Sequence, residues 1–479
     1  MSPISSLVAP SCDQAESDAV TQETIASLPV YHIASYRTST EPRPFGPLLS
    51  YASTLSHGPL WYLQTRDGSR EILAAGAIAT FRADSLADFQ HRHSWLIPSL
   101  NAHPFAEVLT LVGGTSFDTE APGASWPGFS AVHFILPRQL HLRRGNVVDV
   151  YQFGDDTEGC SSRAGGPIPS RETPTAPFLA PSWVASEPTF DEWEKTLKEA
   201  LNAIEHGELQ KVVLARRALA NLNTSIHPAL LLQRLLASPQ PVAPYLFAPG
   251  PKLSPTFIGA TPELLFALVQ SPSQSPSEQQ TLSDSPTSIP SPCITLESEA
   301  LAGTLSRSPR DTTDSPPAPN LASGCHKERA EHQFVVTSIL EKLRTIAVRI
   351  EAPPEPQITT LHDLHHLVTP IRADLASPPC PLDIVALLHP TPAVGGTPPQ
   401  AARSFIRDHE PFERGWYAGT IGYMTNERSE FYVSLRSALL NENELIAYVG
   451  AGIVSGSTAV QEWRELDLKQ QRLVASVGA

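Results

Sequence analysis

Near the end of the chain, the stretch AGIVSGSTAVQEWRELDLKQQ places acidic and basic side chains at helical spacing. Glu462, Glu465 and Lys469 stand three and then four residues apart, so they share one face of a predicted helix. Glu328 and Glu331 repeat the spacing at the start of another predicted helix, in KERAEH. Each pair alone is typical of a solvated helix face or of an acidic first turn favoured by the helix dipole. If the two helices face each other, four carboxylates converge, and ligation by oxygen alone suits Mg²⁺.

Two further residues could act as a base and an acid. Lys211 lies in the strand-like stretch LQKVVLAR, where burial would favour the neutral amine of a general base and an edge position would leave it in water. Glu263 lies in IGATPELLF, where apolar neighbours raise a carboxyl pKa and favour a general acid, although an exposed turn glutamate is the simpler alternative. Arg436 is the single arginine of the apolar stretch FYVSLRSALL, and a buried arginine there needs an anionic partner such as a carboxylate.

Two other motifs resemble cofactor or metal sites without completing them. GAGIVSG has the spacing G-x-G-x-x-x-G instead of the dinucleotide-binding G-x-G-x-x-G, although backbone N–H groups at this turn could hold a carboxylate. LHDLHHL has histidines at metal-like spacing, but no matching pair of Cys or His lies nearby. A structural histidine is therefore the better interpretation of that motif.

Hydrophobic periodicity predicts the elements that position these residues. Short apolar runs between turns predict antiparallel strands over residues 45–185. Apolar positions at helical spacing predict helices over 189–206 and 327–350, and the last hundred residues follow the order strand, strand, strand, helix. Thirteen of the 22 residues in 271–292 are Ser or Pro, which predicts a disordered insertion in a hairpin tip. Residues 1–30 are polar and predict a disordered leader.

Composition excludes several classes of protein. The 479 residues carry 34 Lys and Arg against 49 Asp and Glu, a formal charge of −15, which disfavours binding to nucleic acid or to an anionic membrane. The five cysteines are scattered and form no C-x-x-C motif, which excludes a disulfide framework and a thiolate zinc site. The first thirty residues lack Lys and Arg, and no apolar run reaches the roughly 20 residues of a membrane span, so we expect a cytoplasmic protein.

Ten blocks of the chain together resemble one family, the chorismate-utilising enzymes. In family order from about residue 190 to the end, they are KVVLARR, TPELLF, EALAGT, ERAEHQFVV, LHHLVTPI, LHPTPAVGGTP, ERGWYAGTIGY, SLRSALL, AYVGAGIVSGS and EWRELDLKQ. The resemblance is highly specific there and loose in the first half. It implies an α/β fold in which two large, mostly antiparallel sheets stack as a sandwich with helices outside. It also implies a single catalytic domain over residues 31–479, with chorismate as its small-molecule substrate, and we expect a monomer.

The resemblance further implies roles for individual residues. Glu331 and Glu465 resemble the family's direct Mg²⁺ ligands, and Glu328 and Glu462 resemble the carboxylates that act through metal-bound water. The positions that resemble substrate contacts are Gly303, Thr304, His366, Tyr417, Arg436, Gly450, Gly452 and Lys469. Chorismate carries two carboxylates, and a cation, an arginine and backbone amides are what such a ligand requires.

Two positions sort the members of this family. Aminodeoxychorismate synthases carry a nucleophilic lysine where this chain has Ala302, and anthranilate synthases, which use ammonia, carry glutamine where it has Lys211. The resemblance therefore implies that water, deprotonated by Lys211, attacks C2 of chorismate while Glu263 protonates the departing C4 hydroxyl, which yields isochorismate. Trp416 and Ala418 in RGWYAGTIGY resemble the isochorismate synthases of the family. Salicylate synthase, which goes on to eliminate pyruvate, and a non-catalytic chorismate-binding protein are the alternatives, and quinone and siderophore biosynthesis are both open as the pathway.

Overall fold

Alternating apolar residues build the strands of this chain, and apolar stripes build its helices. The computed structural model describes residues 21–37, 47–55, 57–120, 126–154, 182–236, 241–270, 294–306, 326–361 and 364–475. The helices in these ranges are α1 Gln22–Ala26, α2 Pro47–Ala52, α3 Leu86–Arg92, α4 Leu96–Ala102, α5 Phe190–Glu205, α6 Pro228–Leu235, α7 His326–Leu343, α8 Pro381–Leu388, α9 Pro399–His409 and α10 Ala459–Ala475. The strands are β1 Val30–Arg37, β2 Leu60–Gln64, β3 Arg70–Ala83, β4 Leu111–Thr115, β5 Val132–Arg144, β6 Val147–Phe153, β7 Ser182–Glu187, β8 Lys211–Asn221, β9 Ala243–Ala248, β10 Thr256–Thr261, β11 Leu264–Gln270, β12 Ile294–Ser306, β13 Ala347–Glu351, β14 Gln357–Leu361, β15 Leu364–Leu375, β16 Gly396–Thr397, β17 Thr420–Met424, β18 Arg428–Val433, β19 Ser437–Asn441 and β20 Glu444–Ile453.

The predicted leader and insertion fall mainly outside the described residues. The Ser/Pro-rich segment 271–292 lies wholly outside them, as do residues 1–20 of the predicted leader. The remaining residues of the predicted leader 1–30, from 21 to 30, are described, and for them the prediction of disorder is wrong. There Thr21 caps the short helix α1 with its side chain, and Ile25 of that helix is fully buried.

The two predicted helices have different outcomes. Helix α5 confirms the prediction over 189–206, and a capping box between Thr189 and Glu192 begins it. The helix predicted over 327–350 ends earlier, since α7 stops at Leu343 and β13 follows. The prediction is wrong over its last residues because the β-branched Val348 and Ile350 suit a strand, and β13 finds a partner in β15.

Antiparallel pairing connects all strands of the described part into one network. A first branch runs through β3, β2, β9, β10, β19, β20 and β8, and a second runs through β4, β17, β18, β11, β12 and β15. Both branches begin at β5, which pairs with β3 along its length and with β4 over its first residues. The α/β class with mostly antiparallel strands is thus confirmed. The two predicted sheets are branches of one network, because β5 is long enough to pair with both.

The two branches and two helices meet around one cavity. Strands β8 and β20 of the first branch and β12 and β15 of the second contribute to its lining. Helix α7 packs on β12 and β15, and α10 packs on β20. The position of α10 is held by Arg216 of β8, which donates to Asp467 Oδ1 at 2.8 Å and lies 4.4 Å from the centre of the Trp463 ring. The acidic faces of α7 and α10 are therefore brought to the same cavity.

The larger apolar core contains side chains of both branches and of α5, α7, α8 and α9. Within the described ranges, none of the helices has both the length and the apolar character needed to cross a bilayer.

Candidate active site

The cavity between the branches has a volume of about 170 Å³ and collects most of the residues singled out in the sequence. Those that line it are Glu263, Gly303, Glu331, His366, Tyr417, Arg436, Gly450, Gly452, Glu465 and Lys469. Lys211 lies directly behind this lining, against Glu331. Tertiary packing thus brings together residues that are spread over more than half of the chain.

Lys211 is a buried lysine and not an edge lysine. Its side chain on β8 has no exposed surface, and its Nζ lies 2.9 Å from Glu331 Oε1. This contact has the distance of an ion pair but lacks the alignment of a hydrogen bond. Gly452 makes room for it, because a Cβ there would lie 2.3 Å from Glu331 Oε1 and 3.1 Å from Lys211 Cε. The amine is therefore enclosed, with a carboxylate as its charged contact.

Glu263 is a buried carboxyl between β10 and β11. It is 3 % exposed, and burial raises its pKa from 4.5 to about 8, with a further increase from the charge of Glu299. The hydroxyl of Thr391, 3.3 Å from Glu263 Oε1, and the charge of Lys211 act in the opposite direction. The alternative of an exposed turn glutamate is wrong. Near neutral pH this carboxyl keeps its proton, which is the state a general acid requires.

The four glutamates of the predicted metal site lie on the facing helices α7 and α10. Three of them contact lysines: Glu331 contacts Lys211, Glu465 Oε1 lies 2.7 Å from Lys469 Nζ, and Glu462 Oε1 lies 2.5 Å from Lys327 Nζ. The fourth, Glu328, touches the turn at Gly303, where a Cβ would meet its backbone oxygen at 2.8 Å.

The neighbouring lysines offset part of the negative charge of these carboxylates. Burial raises the pKa of Glu462 and opposes ionisation, while its ion pair with Lys327 acts the other way. Burial would also raise the pKa of Glu465, but the neighbouring Lys469 and then Lys327 hold it below its ordinary value. Among the residues described, no three His, Cys, Asp or Glu side chains are gathered as a ready metal site.

The ammonium of Lys327 marks where a cation fits among these carboxylates. Burial would lower the pKa of Lys327, but the hydrogen bond and charge of Glu462 and the charges of Glu331 and Glu465 raise it. One positive group therefore lies in the field of three carboxylates from two helices. The donors are all oxygen and their sum is negative, so the set fits Mg²⁺. The sequence offered a signal for Lys327 that was missed, since it precedes Glu331 by four residues on the same helix.

The glycines of β20 and the lysine beside them form one wall of the cavity. Strand β20 pairs with β19 only as far as Tyr448, whereas its pairing with β8 continues to Ile453. From Gly450 onward, one edge of β20 thus has no strand partner among the described residues, and it faces the cavity. Lys469 Nζ donates to Gly450 O at 2.8 Å. This edge and this ammonium can offer N–H groups to an anion.

The remaining predicted contacts lie around the same space. A Cβ on Gly450 would meet Tyr417 Oη at 2.6 Å, and the Tyr417 ring stacks on Tyr448 with 5.4 Å between centroids. Arg436 reaches the cavity from a backbone with φ of +47°, just before β19. His366 is 9 % exposed and lines the cavity from β15.

Gly303 forms a bulge in β12 opposite β15. Its φ is +79°, in the left-handed region that favours glycine, and the register with β15 shifts between Ala302 and Thr304. Thr304 pairs with His366 through the backbone, and its side chain lies outside the described part. Ala302 lines the cavity with a methyl group. The bulge thus places Ala302 and Gly303 side by side on the wall.

Two residues around the predicted site have particular positions. Trp416 lies behind the cavity, where its Nε1–H donates to Ser130 O at 2.9 Å, while Ala418 is part of the lining.

The sequence did not reveal the roles of Glu299 and Thr391, although they lie in the family blocks EALAGT and LHPTPAVGGTP. Their importance depends on proximity to Glu263, and no local pattern encodes that proximity.

Comparisons with known proteins identify a family and several relatives of this chain. The family model described as "Chorismate binding enzyme" matches residues 22–276 and 294–478. The chain is 29% identical over 435 residues to isochorismate synthase MenF of Haemophilus influenzae, which spans 89% of this chain and 88% of that protein. It is 31% identical over 381 residues to the salicylate biosynthesis isochorismate synthase of Pseudomonas aeruginosa, which spans 77% of this chain and 74% of that protein. The solved structure of the menaquinone-specific isochorismate synthase MenF of Escherichia coli matches with a TM-score of 0.71 at 26% identity, over 95% of each chain.

Proposed function

This chain belongs to the chorismate-binding enzymes, the family that its sequence resembles, and we propose that it is an isochorismate synthase, which converts chorismate to isochorismate. The observation that carries this proposal is a pair of buried groups at one cavity. Lys211 offers an enclosed amine, and Glu263 is a carboxyl that burial keeps protonated near neutral pH. A binding protein without catalysis would need neither group.

The two groups divide the work of base and acid. Lys211 takes a proton from water as the water oxygen bonds to C2 of chorismate, the two ring double bonds shift, and the C4–O bond breaks. Glu263 gives its proton to the C4 hydroxyl, which leaves as water. One water enters and one leaves, so the reaction is an isomerisation that needs no oxidant or reductant. Each group returns to its starting state by exchanging a proton with solvent.

The walls of the cavity supply the charge that a dicarboxylate needs. Arg436 and Lys469 contribute cationic side chains, and the free edge of β20 contributes backbone N–H groups at Gly450 and Gly452. Mg²⁺ held by Glu331 and Glu465, with Glu328 and Glu462 behind them, would supply a further positive charge for a substrate carboxylate. These local charges are needed because the chain as a whole is acidic, with a formal charge of −15.

The lining at Ala302 favours water as the nucleophile. Its methyl group lines the cavity beside Gly303 and cannot attack the ring. The amine of Lys211 could in principle act as a nucleophile, but its side chain is fully buried behind Glu331. It is thus better placed to move a proton than to bond to substrate.

Product analysis tests the proposal. The purified chain is incubated with chorismate and Mg²⁺, the products are separated by chromatography, and pyruvate is followed with lactate dehydrogenase. We expect loss of chorismate to a partial, reversible endpoint, with isochorismate formed and little pyruvate. Pyruvate release that equals chorismate loss, with salicylate fluorescence, would instead identify a salicylate synthase. Chorismate that binds but is not consumed would identify a non-catalytic protein.

The cytoplasmic location and the monomeric state stay predictions from the sequence.

A further inference from the structure

An arginine from the first half of the chain reaches the backbone that carries the catalytic acid. Arg66 lies in the turn between β2 and β3, and its Nη1 donates to Pro262 O at 2.8 Å. The same guanidinium forms a two-pronged ion pair with Glu299 of β12, in which Nη2 lies 2.7 Å from Oε2 and Nη1 contacts Oε1. Arginine suits this position because its planar fork donates in two directions at once.

Glu299 holds the other side of the same residue. Its Oε1 accepts the N–H of Leu264 at 3.1 Å, while Arg66 holds the carbonyl of Pro262. Pro262 and Leu264 are the two neighbours of Glu263 in the chain. The ion pair thus forms hydrogen bonds to the peptide group before Glu263 and to the peptide group after it.

The backbone of Glu263 itself is bonded as well. Its N–H donates to Thr261 Oγ1 at 3.2 Å, and its carbonyl accepts from Val433 N at 3.1 Å. The rotation of the Glu263 side chain therefore starts from a fixed backbone, and Thr391 holds the carboxyl end. Arg66 and Glu299 complete this support, and Glu299 is only 6 % exposed.

We propose that Arg66 and Glu299 are positioning residues that aim the carboxyl of Glu263 at the substrate. This inference rests on the proposed role of Glu263 as the acid. Neither residue lines the cavity, so both act through Glu263. The fold thereby couples a turn of the first half of the chain to chemistry in the second half. Small displacements of a catalytic group lower turnover strongly, by about 10²-fold for 1 Å.

The ion pair also sets the charge near the acid. The charged groups that face the Glu263 carboxyl are Glu299 from β12 and Lys211 from β8, and Thr391 adds a hydroxyl. Arg66 partly neutralises Glu299. Removal of Arg66 leaves Glu299 unbalanced and favours the protonated acid. Removal of the Glu299 charge has the opposite effect, and a nearby charge typically moves a pKa by about one unit or more.

Two substitutions with opposite effects test the inference. Arg66→Met should lower kcat by about 10- to 100-fold, change KM little, and move the basic limb of the pH–rate profile to higher pH. Glu299→Gln keeps the volume and an acceptor for Leu264 N–H, and it should move that limb to lower pH. Arg66→Lys should recover part of kcat. Arg70→Met, at the start of β3 and over the ring of Tyr423, is the matched control and should change neither kcat nor the basic limb.

A second measurement separates this inference from the proposed function. Infrared difference spectra detect the protonated carboxyl of Glu263 without any turnover. Each spectrum compares a variant with the same variant that also carries Glu263→Gln. Its titration midpoint should rise in Arg66→Met and fall in Glu299→Gln, whichever reaction the enzyme catalyses. If Arg66→Met does not fold, Arg66→Lys and Glu299→Gln decide. Unchanged midpoints and limbs, with activity that only follows the folded fraction, would overturn the inference and make the pair a purely structural ion pair.

Discussion

Glu263→Gln removes the proposed acid while it preserves the shape of the side chain. With a pKa of about 8, the wild-type carboxyl is about nine-tenths protonated at pH 7, whereas a carboxyl at the ordinary value of 4.5 would hold its proton in only about 0.3% of molecules. Burial therefore enriches the acid form roughly 300-fold. Glutamine cannot donate this proton. General acids contribute typically about 10²–10⁴-fold, so kcat should fall by that factor, or about 3–5 kcal/mol in the barrier.

The assay follows both turnover and the proton. Wild-type kcat/KM should decline above about pH 8, because ionised Glu263 cannot act as an acid. The infrared difference between wild type and Glu263→Gln should show a protonated carboxyl that disappears with a midpoint near pH 8. Glu208→Gln, which changes an exposed glutamate, is the control and should keep wild-type turnover.

Stability gives an independent check with a defined sign. Between about pH 4.5 and 8 the unfolded chain has lost the Glu263 proton and the folded chain has kept it, so the folded state binds more protons. The free energy of unfolding of the wild type should therefore fall with rising pH in this window, by about 1.4 kcal/mol per pH unit relative to Glu263→Gln. A carboxyl band that titrates near pH 4.5, or a stability difference that does not change with pH, would refute the assignment of Glu263 as a buried acid.

Three further perturbations test the rest of the site. Lys211→Gln removes the base, so turnover should fall by about 10²–10⁴-fold with an unchanged near-UV circular dichroism spectrum. The control Lys252→Gln changes an exposed lysine and should have no effect. Wild-type turnover in Lys211→Gln would contradict the role of Lys211 as the base. Glu465→Gln should weaken Mg²⁺ binding by at least about tenfold, measured by calorimetry without chorismate. Chelation should stop wild-type turnover until Mg²⁺ is restored. Unchanged Mg²⁺ affinity would leave Glu465 as part of a solvated helix face. Replacement of residues 271–292 by a short Gly/Asn turn should barely change activity or Tm, because the strands β11 and β12 on either side already pair and closure entropy varies slowly with length. A large loss of activity would show that the segment contributes to the site.

Local sequence patterns determined the elements and the chemical types of the site residues. The capping box at Thr189 and the apolar stripe behind it predicted α5, because helix ends and faces depend on neighbours within a few residues. The spacing of Glu462, Glu465 and Lys469 placed them on one helix face for the same reason, and the structure keeps Lys469 beside Glu465. The family blocks then pointed to Lys211 as the base.

The places where local patterns misled are those where a distant partner decides. The end of the helix predicted over 327–350 became β13, because β15 offers these residues an edge. The two stacked sheets that the family resemblance implies are joined into one network, because β5 pairs with strands of both branches. Hydrophobic periodicity reports which face of a strand is buried, but not which strands will lie beside it.

Only the tertiary structure decided which of these side chains are buried and how the Glu263 carboxyl ionises. The pattern around Lys211 allowed an edge lysine or a buried one, and packing against α7 buried it beside Glu331. The pKa of Glu263 depends first on burial and then on Glu299. Its backbone is held by Arg66, which comes from the other half of the chain. Burial and charge act through space over a few ångströms, so a sequence names the groups that can ionise while the folded chain determines which of them keep their protons.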